Sequence, residues 1–296
     1  MLLPGAALLL VLNYLPMLGT LIAFKDMKFY SSNIFVNFFQ SSWVGFQNFK
    51  FFINAPDAFN VTRNTVLYNL VFIVLGLVVS VSCAIALNEM LNKKMAKFYQ
   101  SAMFLPYFLS WVVVSYLLYA LLNPNYGLVN KLILEKLGMP DILWYSTPNA
   151  WIFIFPILNI WKYAGYGTVI YFAAICGISA EYYEAASIDG ASKWQQIVNI
   201  TLPGLKNVMI ILTILNLGKI FNGDFGLFYQ ATMHMGNGAL NPTGNVLDTY
   251  VYNALINLGD IGMASAASLY QAVVGFVMVL ASNMIIRKVD EESALF

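Results

Sequence analysis

The sequence predicts an all-α integral membrane protein of six transmembrane helices, with a helical loop between the fourth and fifth. Composition points there first: 60% of the 296 residues are hydrophobic and 10% charged, and the mean hydropathy is +0.70. A soluble domain averages about 45–50% apolar and about 25% charged, so this excess does not fit inside one globular core. The second observation is a set of apolar runs of membrane-spanning length. The third is a single polar connection that carries helix caps and turn signals of its own.

A hydrocarbon layer about 30 Å thick takes about 20 helical residues. The first run, 1–24, is uncharged and interrupted only by Pro4 and Pro16. It lacks a basic n-region and exceeds the apolar stretch of about 7–15 residues in a signal peptide, so it is read as a retained span. Its abrupt apolar start leaves room for a short cytoplasmic leader ahead of Met1. The runs 66–87, 101–122 and 261–286 are uncharged, 151–178 is apolar except for Lys162, and 208–229 except for Lys219 and Asp224. The runs are continuous rather than alternating, which argues against barrel strands. No internal repeat or linker divides the chain, so 1–296 is one membrane domain.

Orientation follows from basic residues in the connections. With the N-terminus inside, the inner segments 89–100, 179–207 and 287–296 hold seven Lys or Arg in 51 residues, led by Lys93, Lys94 and Lys97. The outer segments 25–64, 123–149 and 230–260 hold six in 98. Both termini are therefore placed in the cytoplasm. In segment 25–64, Trp43, Phe46, Phe49, Phe51 and Phe52 suit an interfacial belt or a cover over the outer mouth.

The connection 179–204 reads as two short helices meeting at a turn. Ser179 can cap the first, with Glu181 in its first turn. Gly190 can adopt the left-handed conformation that ends it. Ser192-Lys193-Trp194-Gln195 is a capping-box pattern for the second, and Thr201-Leu202-Pro203-Gly204 is read as its stop. Ala185 and Ala186 are small enough to let another surface approach, and Glu184 and Asp189 place carboxylates beside them. The alternative is an amphipathic loop resting on lipid headgroups.

Glu184-Ala185-Ala186, Asp189-Gly190-Ala191 and Ile200-Thr201-Leu202-Pro203 fit the pattern EAAxxDGAx(8)IxLP at every defined position over 20 residues. This resembles the EAA loop of ABC importer permeases. The Asp-Gly-Ala version is similar to the carbohydrate branch, as are Leu3-Pro4-Gly5, Asn13-Tyr14-Leu15-Pro16, Ala23-Phe24-Lys25-Asp26, Trp43-Val44-Gly45-Phe46 and Arg63-Asn64-Thr65. The resemblance implies a type I importer transmembrane fold, and a non-catalytic permease that forms half of a path for a sugar or oligosaccharide. It implies that Glu184, Ala185, Ala186 and Gly190 dock on an ATPase, that Asp189 helps hold the turn, and that Leu202 and Pro203 anchor the loop. It implies as partners two ABC ATPase subunits that bind ATP and Mg, a second and commonly different permease, and an extracytoplasmic solute-binding protein. The membrane implied is the bacterial plasma membrane. The chain has no GxxxxGK[ST] phosphate loop of its own.

An ionisable group within a span is a functional candidate, because burying it in lipid is costly. Lys162, Lys219 and Asp224 qualify, and Asn159, Asn216, Asn222 and Tyr163 add hydrogen-bonding groups suited to a sugar path. Snorkelling or structural pairing is the other reading of the two lysines, and helix–helix hydrogen bonding that of the amides. Lys219 and Asp224, five residues apart, would lie on different faces of one helix, and a Lys162–Asp224 pair across helices is open. Trp111, Tyr116, Trp161 and Tyr163 could stack on a sugar ring or simply pack. Ala264, Ser268 and Ala272 recur every four residues, which suits a face buried against another helix.

Other classes fit less well. The net charge of +1 suggests no nucleic-acid partner. Cys83 and Cys176 form no metal-binding spacing, and His234 alone builds no metal site, so no cofactor is expected in this chain. A self-contained secondary transporter would need coupling carboxylates in mid-membrane, where Asp224 stands alone, and would leave the 179–204 loop unexplained.

Overall fold

The computed structural model describes residues 2–28, 30–50, 58–234, 238–257 and 259–289. Phe51 and Phe52 of the aromatic outer segment, and the end of the expected inner tail beyond 289, lie outside them. Within them, four helices are long and apolar enough to cross a membrane, and two bent helix pairs bring the number to six if each pair is one span.

The N-terminal run is an interrupted helix. Helix α1 (Leu2–Leu9) passes through a π-turn (Leu10–Tyr14) into a 3-10 helix (Leu15–Phe24) with Pro16 in its first turn. Proline has no N–H to donate, and the helix changes its winding where the intrahelical ladder loses that rung. Strand β1 (Lys25–Asp26) then pairs antiparallel with β2 (Ser42–Trp43), enclosing the short helix α2 (Ile34–Gln40). Lys25 is buried, and its ammonium caps the end of α2 by donating to the carbonyls of Phe38 and Ser41. Phe49 packs on Phe24 with ring centroids 5.6 Å apart, while Trp43 and Phe46 are largely exposed.

Helix α3 (Ala58–Glu89) is one unbroken span. The run at 101–122 is not. Helix α4 (Lys93–Phe104), capped by Asn92, gives way at Pro106 to a 3-10 turn (Leu105–Phe108), and α5 (Trp111–Leu122) leaves at 99° to it under a Ser110 cap. Hydropathy registered the run and missed the elbow, because apolar content is blind to where a backbone rung is lost. Helix α6 (Pro148–Cys176) lies along α3 in the most extensive helix–helix contact of the molecule. Gly165 of α6 meets the backbone of α4 so closely that a Cβ there would overlap the Met103 carbonyl.

After α6 the chain bends by 69° into α7 (Ala180–Ile188). Helix α8 (Lys193–Gln196), a π-turn (Ile197–Thr201) and α9 (Leu202–Leu217) then run on as one 25-residue helix, 193–217. The expected stop at Thr201–Gly204 is therefore corrected: Pro203 sits in the first turn of α9. The π-turn ahead of it holds one extra residue per turn and accommodates the missing N–H. The fifth run, 208–229, is corrected as well. Its helix ends at Leu217, turns through 218–221, and resumes only as a π-turn at Gly226–Gln230. Helices α10 (Asn241–Gly244), α11 (Leu247–Asn257) and α12 (Ile261–Val289) follow among the described residues.

Two buried clusters hold the ends of α3. Tyr68, Trp151, Phe155, Leu227 and Phe228 form one, with Phe155 and Phe228 rings 4.5 Å apart. Val81, Ala84, Tyr171, Ile175 and Leu205 form the other, beside the 179–204 loop. On α12 only Ala264 of the expected small-residue face is buried. Ser268 and Ala272 are exposed along a groove facing Pro16, Gly19 and Thr20, because the first span touches α12 near one end without covering its length.

Candidate functional site

Two regions bear on function: the α7–α8 loop and a cleft between α3, α6 and α9. In the loop, Ser179 Oγ accepts from the Glu181 N–H at 3.3 Å to start α7. Gly190 takes φ +81°, a left-handed conformation that costs other residues energy. Ser192 and Gln195 then form both halves of a capping box, at 2.7 and 3.4 Å. Capping groups of this kind are each worth about 1 kcal/mol.

The turn is held by backbone and by neutral side chains. The Ala191 N–H reaches the Ala186 carbonyl at 2.9 Å, Gln196 Nε2 donates to Ser187 Oγ at 2.8 Å, and the hydroxyls of Tyr183 and Thr201 lie 3.0 Å apart. Asp189, expected to help hold the turn, is exposed and makes no side-chain hydrogen bond with the described residues. Glu184 and Ala185 face solvent, Ala186 is half-buried, Pro203 is exposed and Leu202 packs into the lower cluster. Sequence reasoning missed the aromatic and aliphatic side chains flanking this face, where Ile188 is 86% and Trp194 72% exposed. Such side chains are over-represented at protein interfaces. Lys193 reaches Glu89 at the end of α3 (3.3 Å), tying the loop to the bundle.

The cleft has a volume of about 620 Å³, and Asn159, Tyr163, Asn216, Asn222 and Asp224 of the expected path all line it, with Lys219. Lys162 does not. It is 5% exposed, and its ammonium is turned to the carbonyls of Pro106, Tyr107 and Leu109, the end of the broken α4 segment. A helix C-terminus carries unsatisfied carbonyls and partial negative charge, so a buried cation is stabilised there. Sequence gave no sign of this, because the elbow Lys162 caps lies 53 residues away from it.

Asp224 is also committed. Its Oδ2 accepts from Tyr163 Oη at 2.8 Å and Trp111 Nε1 at 3.0 Å, and its Oδ1 from the Leu227 N–H at 3.1 Å. No direct Lys162–Asp224 ion pair forms, but Trp111 touches both, with the Lys162 ammonium 5.2 Å from its ring centre. Lys219 and Asp224, expected on different faces of one helix, share no helix, because α9 ends at Leu217. Tyr116 and Trp161 are exposed and do not line the cleft.

Sequence reasoning also missed Asn69, Ser80, Tyr107 and Tyr166 on the cleft wall. Tyr107 and Tyr166 stack with centroids 4.8 Å apart. Tyr166 follows Asn159 and Tyr163 at helical spacing on α6, and Asn69, Gly76 and Ser80 share a face of α3, so 3.6-residue periodicity applied to small and polar residues would have found Asn69, Ser80 and Tyr166, though not Tyr107 in its 3-10 turn. The cleft lining offers amide, hydroxyl and aromatic groups together, the combination that suits a polyhydroxylated ligand.

Residues 73–291 match the family model described as "Binding-protein-dependent transport system inner membrane component". Among curated proteins, Protein LplB of Bacillus subtilis (strain 168) is 33% identical over 99% of this chain and 89% of its own length. The polygalacturonan/rhamnogalacturonan transport system permease protein YteP of the same organism is 33% identical over 99% of this chain and 88% of its own. Among solved structures, a chain of a bacterial alginate ABC transporter, in complex with an alginate pentasaccharide-bound periplasmic protein, is 30% identical. It superposes with a TM-score of 0.85 over 98% of this chain and 93% of that one.

Proposed function

Because the chain belongs to the family of binding-protein-dependent transport system inner membrane components, we propose that it carries an oligosaccharide through the cleft on α3, α6 and α9 and couples to a separate ATPase through α7. The chain is a multi-pass, non-catalytic permease subunit of a sugar-type ABC importer. A permease similar over nearly its whole length to a polygalacturonan/rhamnogalacturonan permease and to an alginate transporter chain takes its cargo from an extracytoplasmic binding protein. ATP and Mg bind on two ATPase subunits, and a second permease, commonly a different chain, closes the cleft from the other side. The loop end, with both termini, faces the cytoplasm of a bacterial plasma membrane.

The observation that carries the coupling reading is the outer face of α7. The side chains of Glu184 and Ala185 are exposed among the described residues, on a helix fixed by a cap at one end and a left-handed glycine at the other. A rigid, exposed, partly apolar helix is a surface through which a partner's movement reaches the bundle. Asp224, the sole coupling-carboxylate candidate of a secondary transporter, has both oxygens taken by fixed donors.

The test is a mild-detergent pull-down of the tagged chain, with mass spectrometry, comparing wild type with Glu184→Arg. An ATPase recovered with the wild type and lost with the variant supports the reading. No ATPase in either, even after cross-linking in intact membranes, contradicts it.

A further inference from the structure

If the cleft is the sugar's path, its charges select which sugar. Four charged side chains lie in or beside it: Lys162, Lys219, Asp224 and Asp248, whose Oδ2 accepts from the N–H of the lining residue Gly223. Three of them are spent on architecture. Asp224 accepts from Tyr163, Trp111 and the Leu227 N–H, Lys162 donates to the carbonyls at the elbow before α5, and Asp248 accepts from Gln271 as well as Gly223. Asp224 and Lys162 both contact Trp111, so each of these charges is held by fixed partners.

Lys219 is what remains. It follows the C-terminus of α9 in the 218–221 turn, is exposed on the cleft wall, and its side chain makes no hydrogen bond or ion pair with the described residues. It is the only basic side chain lining the cleft among the described residues. Asn216 and Asn222 flank it with exposed amides, and the Tyr107–Tyr166 stack adds an aromatic face to the lining of the same cleft. A charge in a cleft with low-dielectric walls is weakly screened, and its field is focused into the opening. Lys219 is thus the charged side chain on the cleft that lacks a fixed partner among the described residues, and holding such a group at membrane depth is costly unless a counter-ion is drawn to it.

We infer that the cleft takes an acidic oligosaccharide, one bearing uronate carboxylates, and that Lys219 is the residue that selects it by pairing with a passing carboxylate. This rests on the cleft being the sugar path. A neutral sugar would leave the ammonium unpaired as it passed, while a uronate replaces the lost hydration with a charge-assisted hydrogen bond.

The assembled importer tests this with Cys83 and Cys176 replaced by Ser and a reporter thiol introduced by Asn216→Cys. The probes are an anionic methanethiosulfonate (the ethylsulfonate) and a cationic one (the ethyltrimethylammonium) of similar size. The anionic reagent is expected to react faster after correction for intrinsic reactivity. Lys219→Gln should lower the anion-to-cation rate ratio about tenfold, equivalent to ~1.4 kcal/mol, and Lys219→Arg should retain it. As a second arm, cells are given a galacturonate trisaccharide or its neutral methyl ester. Lys219→Gln should lower uptake of the acid relative to the ester, and Lys219→Arg should restore it. Rate and uptake ratios indifferent to position 219 overturn the inference while import itself persists. Absence of ATP-dependent import in the wild type would instead overturn the functional reading on which it rests.

Discussion

Tyr163 donates its phenolic hydroxyl to Asp224 Oδ2 over 2.8 Å, joining the middle of α6 to the turn beyond α9 across 61 residues of sequence. The bond ties two elements of the cleft wall together and holds the carboxylate in place. Hydrogen bonds to charged groups contribute about 1.5–3 kcal/mol when partly buried. Tyr163→Phe should therefore lower the thermal stability of the solubilised complex measurably, and Tyr163→Phe with Trp111→Phe should lower it further. Asp224→Leu should exceed both, because it orphans three donors at once. Unfolding curves monitored by tryptophan fluorescence or by retention of the complex on a sizing column would check the order.

The role of Lys162 is separable from that of Lys219. Lys162→Met leaves the carbonyls of Pro106, Tyr107 and Leu109 without their donor, and each orphaned buried acceptor costs about 1–3 kcal/mol. The expected outcome is poor recovery of folded protein from the membrane, partly rescued by Lys162→Arg. A Lys162→Met protein that folds normally and fails only in sugar selection would show that the lysine belongs to the path.

Gly165 and Gly76 give opposite controls. At Gly165 a methyl group would collide with the α4 backbone, whereas at Gly76 it would meet nothing within 4 Å. Gly165→Ala should reduce the yield of folded protein and Gly76→Ala should not. At Gly190 the space is open but φ is +81°, so Gly190→Ala should cost about 1–2 kcal/mol of local strain. Its signature is faster proteolysis between α7 and α8 with the bundle intact.

Asp248, at the start of α11 and outside the membrane-spanning helices, has its carboxyl pushed above the ordinary range by burial. It accepts from the Gly223 N–H and from Gln271 Nε2, which only partly offset that burial. With the folded value above the unfolded one, the folded chain holds this proton more tightly. The ionised side chain thus costs stability once pH rises above the unfolded value, and the cost is absent below it. Asp248→Asn should gain thermal stability relative to wild type at neutral pH, with the gap closing as pH falls toward 4. A gap that widens on acidification would reverse the assignment.

Much of this was legible in the sequence, and the limits were physical. The 180–188 helix, its Ser179 cap, the Gly190 turn and the Ser192–Gln195 box are local features, and local chemistry is written in neighbouring residues. Asn159, Tyr163, Asn216, Asn222 and Asp224 were found because polar groups in apolar runs need a reason to be there. The elbow at Pro106, the π-turn that accommodates Pro203 and the break after Leu217 were not found, since hydropathy measures what a segment is solvated by and not how its backbone is wound. Lys162 was placed in the path because its partners are carbonyls distant in sequence, which no side-chain pattern announces.

Docking of the ATPase on the exposed face of α7 can be read by site-specific cross-linking in intact membranes. The assembled importer would carry Ala185→Cys in a background with Cys83 and Cys176 replaced by Ser, treated with a short bifunctional thiol–amine reagent. The expected product is an adduct between this chain and the ATPase subunit that Glu184→Arg abolishes. ATP-dependent sugar uptake that proceeds normally with no such adduct, and that Glu184→Arg leaves untouched, would contradict that docking.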